Sequence, residues 1–171
     1  MTARPSIGGS VVDAFSVPPG LEKPVAQALR MLRASDKFAS EVGAALLGRG
    51  HSEDTVADVL SFLHERRVLD DTQTCEHAVS RMAERLGRGK ERIRAELLAR
   101  GAPEEIVEQA LARLTADVEM QAMLRVLGKG LRGVPNRQKG WRLLASRGYD
   151  AESIAAAIDR YLQSIEESGS G

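Results

Sequence analysis

The sequence predicts an all-α protein built from three tandem three-helix repeats in an elongated, curved array. Three observations favour this fold. First, an arginine–glycine pair follows a short apolar run three times, as Arg49-Gly50, Arg100-Gly101 and Arg147-Gly148, with glycines 51 and then 47 residues apart. Second, apolar residues around each pair recur at helical spacing. Third, aromatic residues make up only 4% of the chain, which disfavours a β-sandwich.

The first repeat is predicted over residues 21–69, after a flexible lead at 1–20 that is rich in proline and glycine. One helix is expected near 25–33, a second ends at Gly50, and a third begins after the N-cap Ser52. This third helix carries a stripe at spacing i, i+3, i+4 and i+7, formed by Val56, Val59, Leu60 and Leu63.

The second and third repeats are predicted at 70–115 and 116–165, before a flexible tail at 166–171. Pro103 is expected at the first position of one helix, and Asp150 as the N-cap of another. The first helices of these repeats are expected at 72–85 and 117–127.

Each joint glycine is predicted to end its helix in the left-handed conformation, with the preceding arginine in the last turn, where a cation suits the helix dipole. Trp141 could stack on a nucleic-acid base, but its place beside the apolar stripe favours packing in the core. The run Gly128–Gly133 is expected to form a flexible, basic loop, and it lacks the spacing of a nucleotide-binding P-loop.

Charge is balanced overall but unevenly distributed, with 24 basic and 24 acidic residues. Residues 41–77 hold eight acids against three bases, 81–100 are mainly basic with interleaved acids, and 120–149 contain no acid. The interleaved segment is interpreted as a solvated helix face, and the acid-free one as a contact for phosphate. The candidate partner-binding residues are Arg85, Arg88, Lys90, Arg92, Arg94, Arg125, Lys129, Arg132, Arg137, Lys139 and Arg142.

No catalytic or metal-binding pattern is found. His51, His64 and His77 form no zinc motif, and the single cysteine, Cys75, excludes an internal disulfide. The adjacent pair Asp70-Asp71 is better suited to helix capping than to acid–base chemistry. We therefore expect a protein that is not an enzyme and needs no cofactor or metal. With no apolar run of membrane-spanning length, we also expect a soluble, cytoplasmic protein.

Taken in order, these motifs resemble those of the RecX family of regulators of the bacterial recombinase RecA. The repeated R-G-x-x-x-x-x-[VI] joint, Leu69-Asp70-Asp71 and the segment 89–101 carry the resemblance, which spans about residues 25–162. The chain departs from the family where Arg67 stands in place of the usual glycine. It also departs at Thr74 and Cys75, where the family usually has an aromatic residue and then alanine.

The resemblance implies a non-enzymatic regulator that acts in DNA repair and recombination, and we expect it to be a monomer. Such proteins bind in the groove of the recombinase filament on single-stranded DNA and restrain its ATP hydrolysis, strand exchange and co-protease activity. Contact with single-stranded DNA itself would be weak or indirect. Two alternatives stay open: a helix-turn-helix-like protein that binds DNA directly, and a generic helical scaffold whose arginine–glycine joints serve only as caps.

Overall fold

Short amphipathic helices form the part of the protein that the computed structural model describes, residues 16–132 and 136–169. The helices are α1 (Glu22–Ala34), α2 (Ala39–Leu47), α3 (Glu53–Glu65), α4 (Asp71–Ser80), α5 (Lys90–Ala99), α6 (Glu104–Ala112), α7 (Ala116–Leu131), α8 (Arg137–Ala145) and α9 (Ala151–Gly169). These two ranges contain no strand, which confirms the all-α, three-helix-repeat fold. Most of the predicted lead at 1–20 and the last two residues of the predicted tail lie outside them.

The first compact unit ends at Asp71 and contains α1, α2 and α3. The three helices bury their stripes in one shared core. Its side chains with no more than 1% exposure are Val25, Ala28, Val42, Leu46, Val59 and Leu63. Ser52 caps α3 as predicted, because its hydroxyl accepts the Thr55 N–H at 3.3 Å. Burial of apolar surface, at about 25 cal/mol per Å², therefore drives the assembly of this unit.

The second compact unit comprises residues 72–171 and contains the helices from α4 to α9. Its largest core cluster is built on α7, α8 and α9 and includes Leu127, Leu144 and Ile154. Backbone contact joins α5 to the third joint, where the Gly89 N–H donates to the Arg147 carbonyl at 2.8 Å. The predicted repeat bounds, 21–69, 70–115 and 116–165, stay predictions.

The three arginine–glycine joints have one common geometry. Gly50, Gly101 and Gly148 have φ of +86°, +82° and +80°, so the predicted left-handed ending is confirmed. The guanidinium of Arg49 donates to the Ala45 carbonyl at 2.7 Å, and that of Arg147 to the Leu143 carbonyl at 3.1 Å. Both arginines thus bond a carbonyl four residues back, among the acceptors that a helix leaves unsatisfied at its end.

Helix α7 is longer than predicted. The expected loop at Gly128–Gly133 is wrong for its first four residues, because α7 continues to Leu131 and ends at Arg132 with φ +51°. Leu127 and Leu131 are 0% and 3% exposed, and their burial outweighs the low helix propensity of the intervening glycines. Gly133 itself lies outside the described residues.

Two predicted caps have different positions in the structure. Pro103 is the N-cap of α6 rather than its first helical residue. Asp71 does act as a cap, but on another helix: its Oδ1 accepts the Ala39 N–H at 2.8 Å, at the first residue of α2. A carboxylate at this helix end satisfies an unpaired donor and complements the dipole. Asp150 caps α9 as predicted, through the Ser153 N–H at 2.9 Å.

Trp141 does not pack in the core, contrary to the expectation from its neighbours. Its side chain is 42% exposed, whereas Gly140 and Leu144 of α8 are buried. Residues four apart share a helix face, and Trp141 is rotated about 100° from Gly140. A Cβ atom at position 140 would lie 3.1 Å from Leu127, so a small residue occupies this core position.

Candidate anion-binding groove

The basic residues at the start of α5 are matched by carboxylates within the second unit. Arg88 and Arg92 both bind Glu96, with 3.0 Å between Arg92 Nε and Glu96 Oε1. Lys90 Nζ lies 2.7 Å from Glu119 Oε2. Partly exposed pairs of this kind stabilise a fold by about 0–1 kcal/mol each. These three candidate residues thus share two carboxylates, which neutralise most of their charge, and their role in partner binding stays a prediction.

Arg94 connects α5 to α6 through Glu108 and also pairs with Glu91 of its own helix. Its Nε lies 2.5 Å from Glu108 Oε1, and its Nη1 lies 2.6 Å from Glu91 Oε1. The hydrogen bond with Glu108 raises the pKa of Arg94 and lowers the pKa of Glu108. This geometry gives Arg94 a packing role between two helices, in keeping with the interpretation of 81–100 as a solvated face.

The basic residues further along the chain are different, because most have no acidic partner. Within the described ranges, no ion pair joins Arg85, Arg125, Lys129, Arg132, Lys139 or Arg142. Arg137 is the exception, with its Nη1 2.6 Å from Asp159 Oδ1 on α9. Arg125 donates to a neutral acceptor, the Glu84 carbonyl, at 3.0 Å, which orients its guanidinium without cancelling its charge. Positive charge therefore accumulates along α7.

Five of these unpaired cations line two neighbouring cavities, which together we call the α7 groove. It consists of two adjoining cavities of about 380 and 600 Å³ that share Lys129 and Gly130 as lining residues. The cations that line it are Arg85, Arg125, Lys129, Arg132, Lys139 and, in addition, Arg147. Glu84 is the one carboxylate among its lining residues. The predicted residues Arg137 and Arg142 on α8 are not part of it.

The walls of the groove depend on a helical irregularity and a close helix contact. Arg81–Arg85 form a π-helical turn after α4, a wider winding that is frequent at functional sites, and Arg85 ends it at the groove. On the other wall, a Cβ atom at Gly130 would lie 2.2 Å from Leu143 Cδ2. The absence of a side chain at position 130 thus lets α8 approach α7, which places Lys139 near Lys129.

Arg147 is the groove residue that the sequence reasoning missed as a binding candidate. It was interpreted as a structural member of the third joint, and its bond to the Leu143 carbonyl fits that role. The same residue also lines the groove, so one arginine has both roles. The sequence feature that points to Arg147 as a binding residue is its position within the acid-free segment 120–149, which is interpreted as a contact for phosphate.

The groove is suited to holding a polyanion. Arginine offers several N–H donors in a planar fork that matches phosphate oxygens, and lysine acts as a compact point charge. Among the residues of 16–132 and 136–169, no cluster of histidine, cysteine or carboxylate side chains could hold a metal ion. No helix in these ranges has the length and apolar character required to cross a bilayer.

Similarity to known proteins identifies the family. The regulatory protein RecX of Chromohalobacter salexigens is 34% identical over 134 residues, covering 77% of this chain and 88% of that protein. The regulatory protein RecX of Mycobacterium sp. (strain JLS) is 32% identical over 167 residues, covering 91% and 90%. This chain belongs to the RecX family. The family's second three-helix domain matches residues 70–111, which include α4, α5 and most of α6.

Solved RecX structures have the same fold. The crystal structure of RecX from Lactobacillus salivarius aligns with a TM-score of 0.75 over 82% of this chain and 96% of that one, at 20% identity. A second crystal structure of regulatory protein RecX gives a TM-score of 0.72 over 86% of this chain and 77% of the other, at 21% identity. Helical repeats of the RecX type thus form the scaffold on which the α7 groove is built.

Proposed function

We propose that this protein binds a RecA-type recombinase filament on single-stranded DNA and inhibits its ATP hydrolysis, strand exchange and co-protease activity. Membership of the RecX family across most of the chain carries the proposal, since the relatives are named as regulatory proteins. The protein would act as a cytoplasmic monomer in DNA repair and recombination, without chemistry of its own.

The residues that line the α7 groove suit a binding partner that consists of both nucleic acid and protein, as a recombinase filament does. Its unpaired cations suit phosphate oxygens. Leu86 also lines the groove and is 50% exposed. An exposed leucine contributes little to the binding of a phosphate backbone but gains contact area against a protein surface. This mixture fits a filament better than naked DNA.

The test measures recombinase ATP hydrolysis on single-stranded DNA with increasing amounts of this protein. Inhibition is expected, and Arg125→Gln with Lys129→Gln should raise the half-inhibitory concentration about fivefold, as expected when two ionic interactions are removed. Arg81→Gln with Arg160→Gln removes the same charge from exposed positions outside the groove and should have little effect. Unchanged ATP hydrolysis and strand exchange at excess protein, together with no contact in pull-downs, would refute the proposal.

Direct DNA binding is the second candidate, favoured by the absence of carboxylates facing Lys129, Arg132 and Lys139. It predicts submicromolar affinity for naked DNA and a log–log salt slope of about −0.9 for each neutralised phosphate on duplex. Weak binding that is lost at modest salt favours the filament instead. If charge reversal between Arg125 and Arg147 alters neither interaction, a scaffold role in another pathway becomes the better explanation.

A further inference from the structure

The first compact unit has its own cation-lined pocket, which the function proposed above does not use. The pocket has a volume of about 470 Å³ and lies against the second half of α1, the α1–α2 connection and the first joint. Arg30, Lys37 and Arg49 contribute three positive charges to its lining, and no carboxylate lines it. This concentration of one charge sign contrasts with the acidic start of α3, where Glu53 and Asp54 follow the cap.

The three cations are available to a ligand. No ion pair joins Arg30, Lys37 or Arg49 within the described part of the chain. Arg49 is oriented by the bond from its Nη1 to the Ala45 carbonyl, and its remaining N–H groups can donate elsewhere. Lys37 is half-buried, so its position is more restricted than that of a fully exposed lysine. Orientation before binding lowers the entropy cost of capturing an anion.

The side-chain amide of Gln27 adds a neutral hydrogen-bond donor to the pocket lining. His51 Nε2 lies 2.9 Å from Gln27 Oε1, and an amide oxygen only accepts, so the histidine must be the donor. With its oxygen engaged in this way, Gln27 has its amide nitrogen left to donate to a ligand in the pocket that it lines.

The third repeat has a similar arrangement in the second unit. There Arg147 bonds the carbonyl four residues back and lines a pocket with cations from the first helix of its own repeat, Arg125 and Lys129. In the first repeat, Arg49 has the same backbone bond and lines a pocket with Arg30 of α1. Among the described residues, a joint arginine held in this way thus lines a pocket with cations of its own repeat in two places.

We propose that Arg30, Lys37 and Arg49 form a phosphate-binding site on the first unit, with Gln27 as a neutral donor. Two guanidinium groups and an ammonium provide the charge-assisted hydrogen bonds that phosphate oxygens accept most strongly. The phosphate belongs to the backbone of single-stranded nucleic acid or is a free inorganic anion, and both present the same oxygens. The site gives the acidic first repeat an interaction of its own with a phosphate-bearing ligand.

The test uses the full chain, labelled with ¹⁵N, without any recombinase. Titration with oligothymidylate, and separately with inorganic phosphate, should shift the Gln27 side-chain amide resonance and the Arg30 and Arg49 Nε resonances. A shift with the oligonucleotide at lower concentration assigns the site to a nucleic-acid backbone, and a shift with inorganic phosphate alone assigns it to the free anion. Absence of any shift with either ligand overturns the proposal.

A matched pair of double variants separates the pocket from general electrostatic attraction. For the ligand that binds, Arg30→Gln with Lys37→Gln should raise the Kd about fivefold. For an oligonucleotide it should also reduce the magnitude of the log–log salt slope by about 0.7 for each phosphate that is no longer neutralised. Lys23→Gln with Arg33→Gln removes the same charge from exposed positions on α1 outside the pocket and should change both values little.

Equal losses of affinity in the two double variants would show that only net charge matters and would overturn the site. Circular dichroism melts of both variants confirm that each remains folded. Because these titrations contain no recombinase, their failure leaves the proposed filament regulation standing. Failure of the filament assay, in turn, leaves the phosphate site standing.

Discussion

Arg67 adopts a backbone conformation that L-residues with side chains disfavour. It follows α3 with φ +53°, and its N–H donates to the His64 carbonyl at 2.9 Å. The left-handed conformation costs a residue with a Cβ roughly 1–2 kcal/mol, and glycine adopts it freely. A glycine at this position would adopt the same conformation without this cost.

Arg67→Gly should therefore raise the free energy of unfolding of the first unit by about 1 kcal/mol, part of the relief being offset by the entropy of glycine in the unfolded chain. Urea denaturation followed by circular dichroism measures the change. Arg66→Gly is the control: position 66 has φ −86°, and Arg66 also lies 5.0 Å from the Phe62 ring centroid, so this variant should be destabilised. A loss of stability in Arg67→Gly would contradict the strain argument.

Tyr149 carries a buried hydroxyl that has no hydrogen-bond partner in the described residues. The side chain is 7% exposed, and burial raises the pKa of its phenol to about 12. The folded state therefore retains the proton between about pH 10 and 12, where the unfolded phenol, with a pKa of about 10, loses it. The contribution of this phenol to the free energy of unfolding is therefore fully present below about pH 10 and is lost as the pH rises towards 12.

Tyr149→Phe should remove this part of the alkaline destabilisation and should be neutral or slightly stabilising at pH 7, because no hydrogen bond is removed. The measurement is the free energy of unfolding by urea at several pH values from neutral to about 11. The wild-type curve should fall more steeply than the variant curve above about pH 10. Parallel curves would show that the hydroxyl finds a polar partner.

At the scale of elements, the joint glycines share a conformation but differ in their surroundings. A Cβ atom at Gly50 would meet nothing within 4 Å, whereas one at Gly148 would lie 2.7 Å from the Cβ and backbone nitrogen of Arg92. Gly50→Ala therefore introduces backbone strain alone, and Gly148→Ala introduces strain and a collision with α5. Gly50 thus only ends a helix, whereas Gly148 also serves as a packing surface for α5.

Gly50→Ala should cost about 1 kcal/mol, and Gly148→Ala should cost about 1–3 kcal/mol more, because overpacking adds to the strain. Hydrogen exchange with mass spectrometry, resolved by segment, measures the loss of stability in each unit. Protection of α5 should fall in Gly148→Ala. Similar costs for the two variants would mean that α5 moves away from Gly148 without penalty.

Helix positions followed from local signals in the sequence, and the exceptions have identifiable causes. Stripes, caps and glycine stops act within a few residues, so one sequence is enough to predict them. The ending of α7 was missed because burial of Leu131 outweighs the propensity of Gly128 and Gly130. The exposure of Trp141 was missed because Gly140 occupies the core position that a large residue was expected to fill.

The candidate groove was only partly predictable for a related reason. An acid-free segment is visible in the sequence, and it contains Arg125, Lys129, Arg132, Lys139 and Arg147 of the groove. Which cations are neutralised depends on partners far along the chain, such as Glu119 for Lys90 and Glu108 for Arg94. These pairings require the tertiary positions of the helices, which a charge pattern alone does not contain.

At the scale of the whole molecule, the net charge is zero, but the charges are distributed unevenly. Those of α5 lie in ion pairs, whereas, among the described residues, the cations of the α7 groove do not. The ion pairs of α5 are exposed or partly exposed, so salt should change the melting temperature little. The α7 groove has excess positive charge, so association with a DNA-containing filament should weaken steeply between about 50 and 200 mM salt. Binding titrations and thermal melts across that range test both expectations, and salt-independent binding would contradict the role given to the groove.

The hydrogen bond from the Ala39 N–H to the Asp71 carboxylate has a practical consequence for where a fragment of this protein should end. Asp71 is the first residue of α4 by backbone geometry, yet its carboxylate closes the N-terminus of α2, 32 residues earlier. A fragment that stopped at Leu69, where the first repeat is predicted to end, would keep every core side chain of that repeat and still expose the α2 amide to water. The shortest complete first fragment therefore includes Asp71, a residue that a sequence-based boundary would assign to its neighbour.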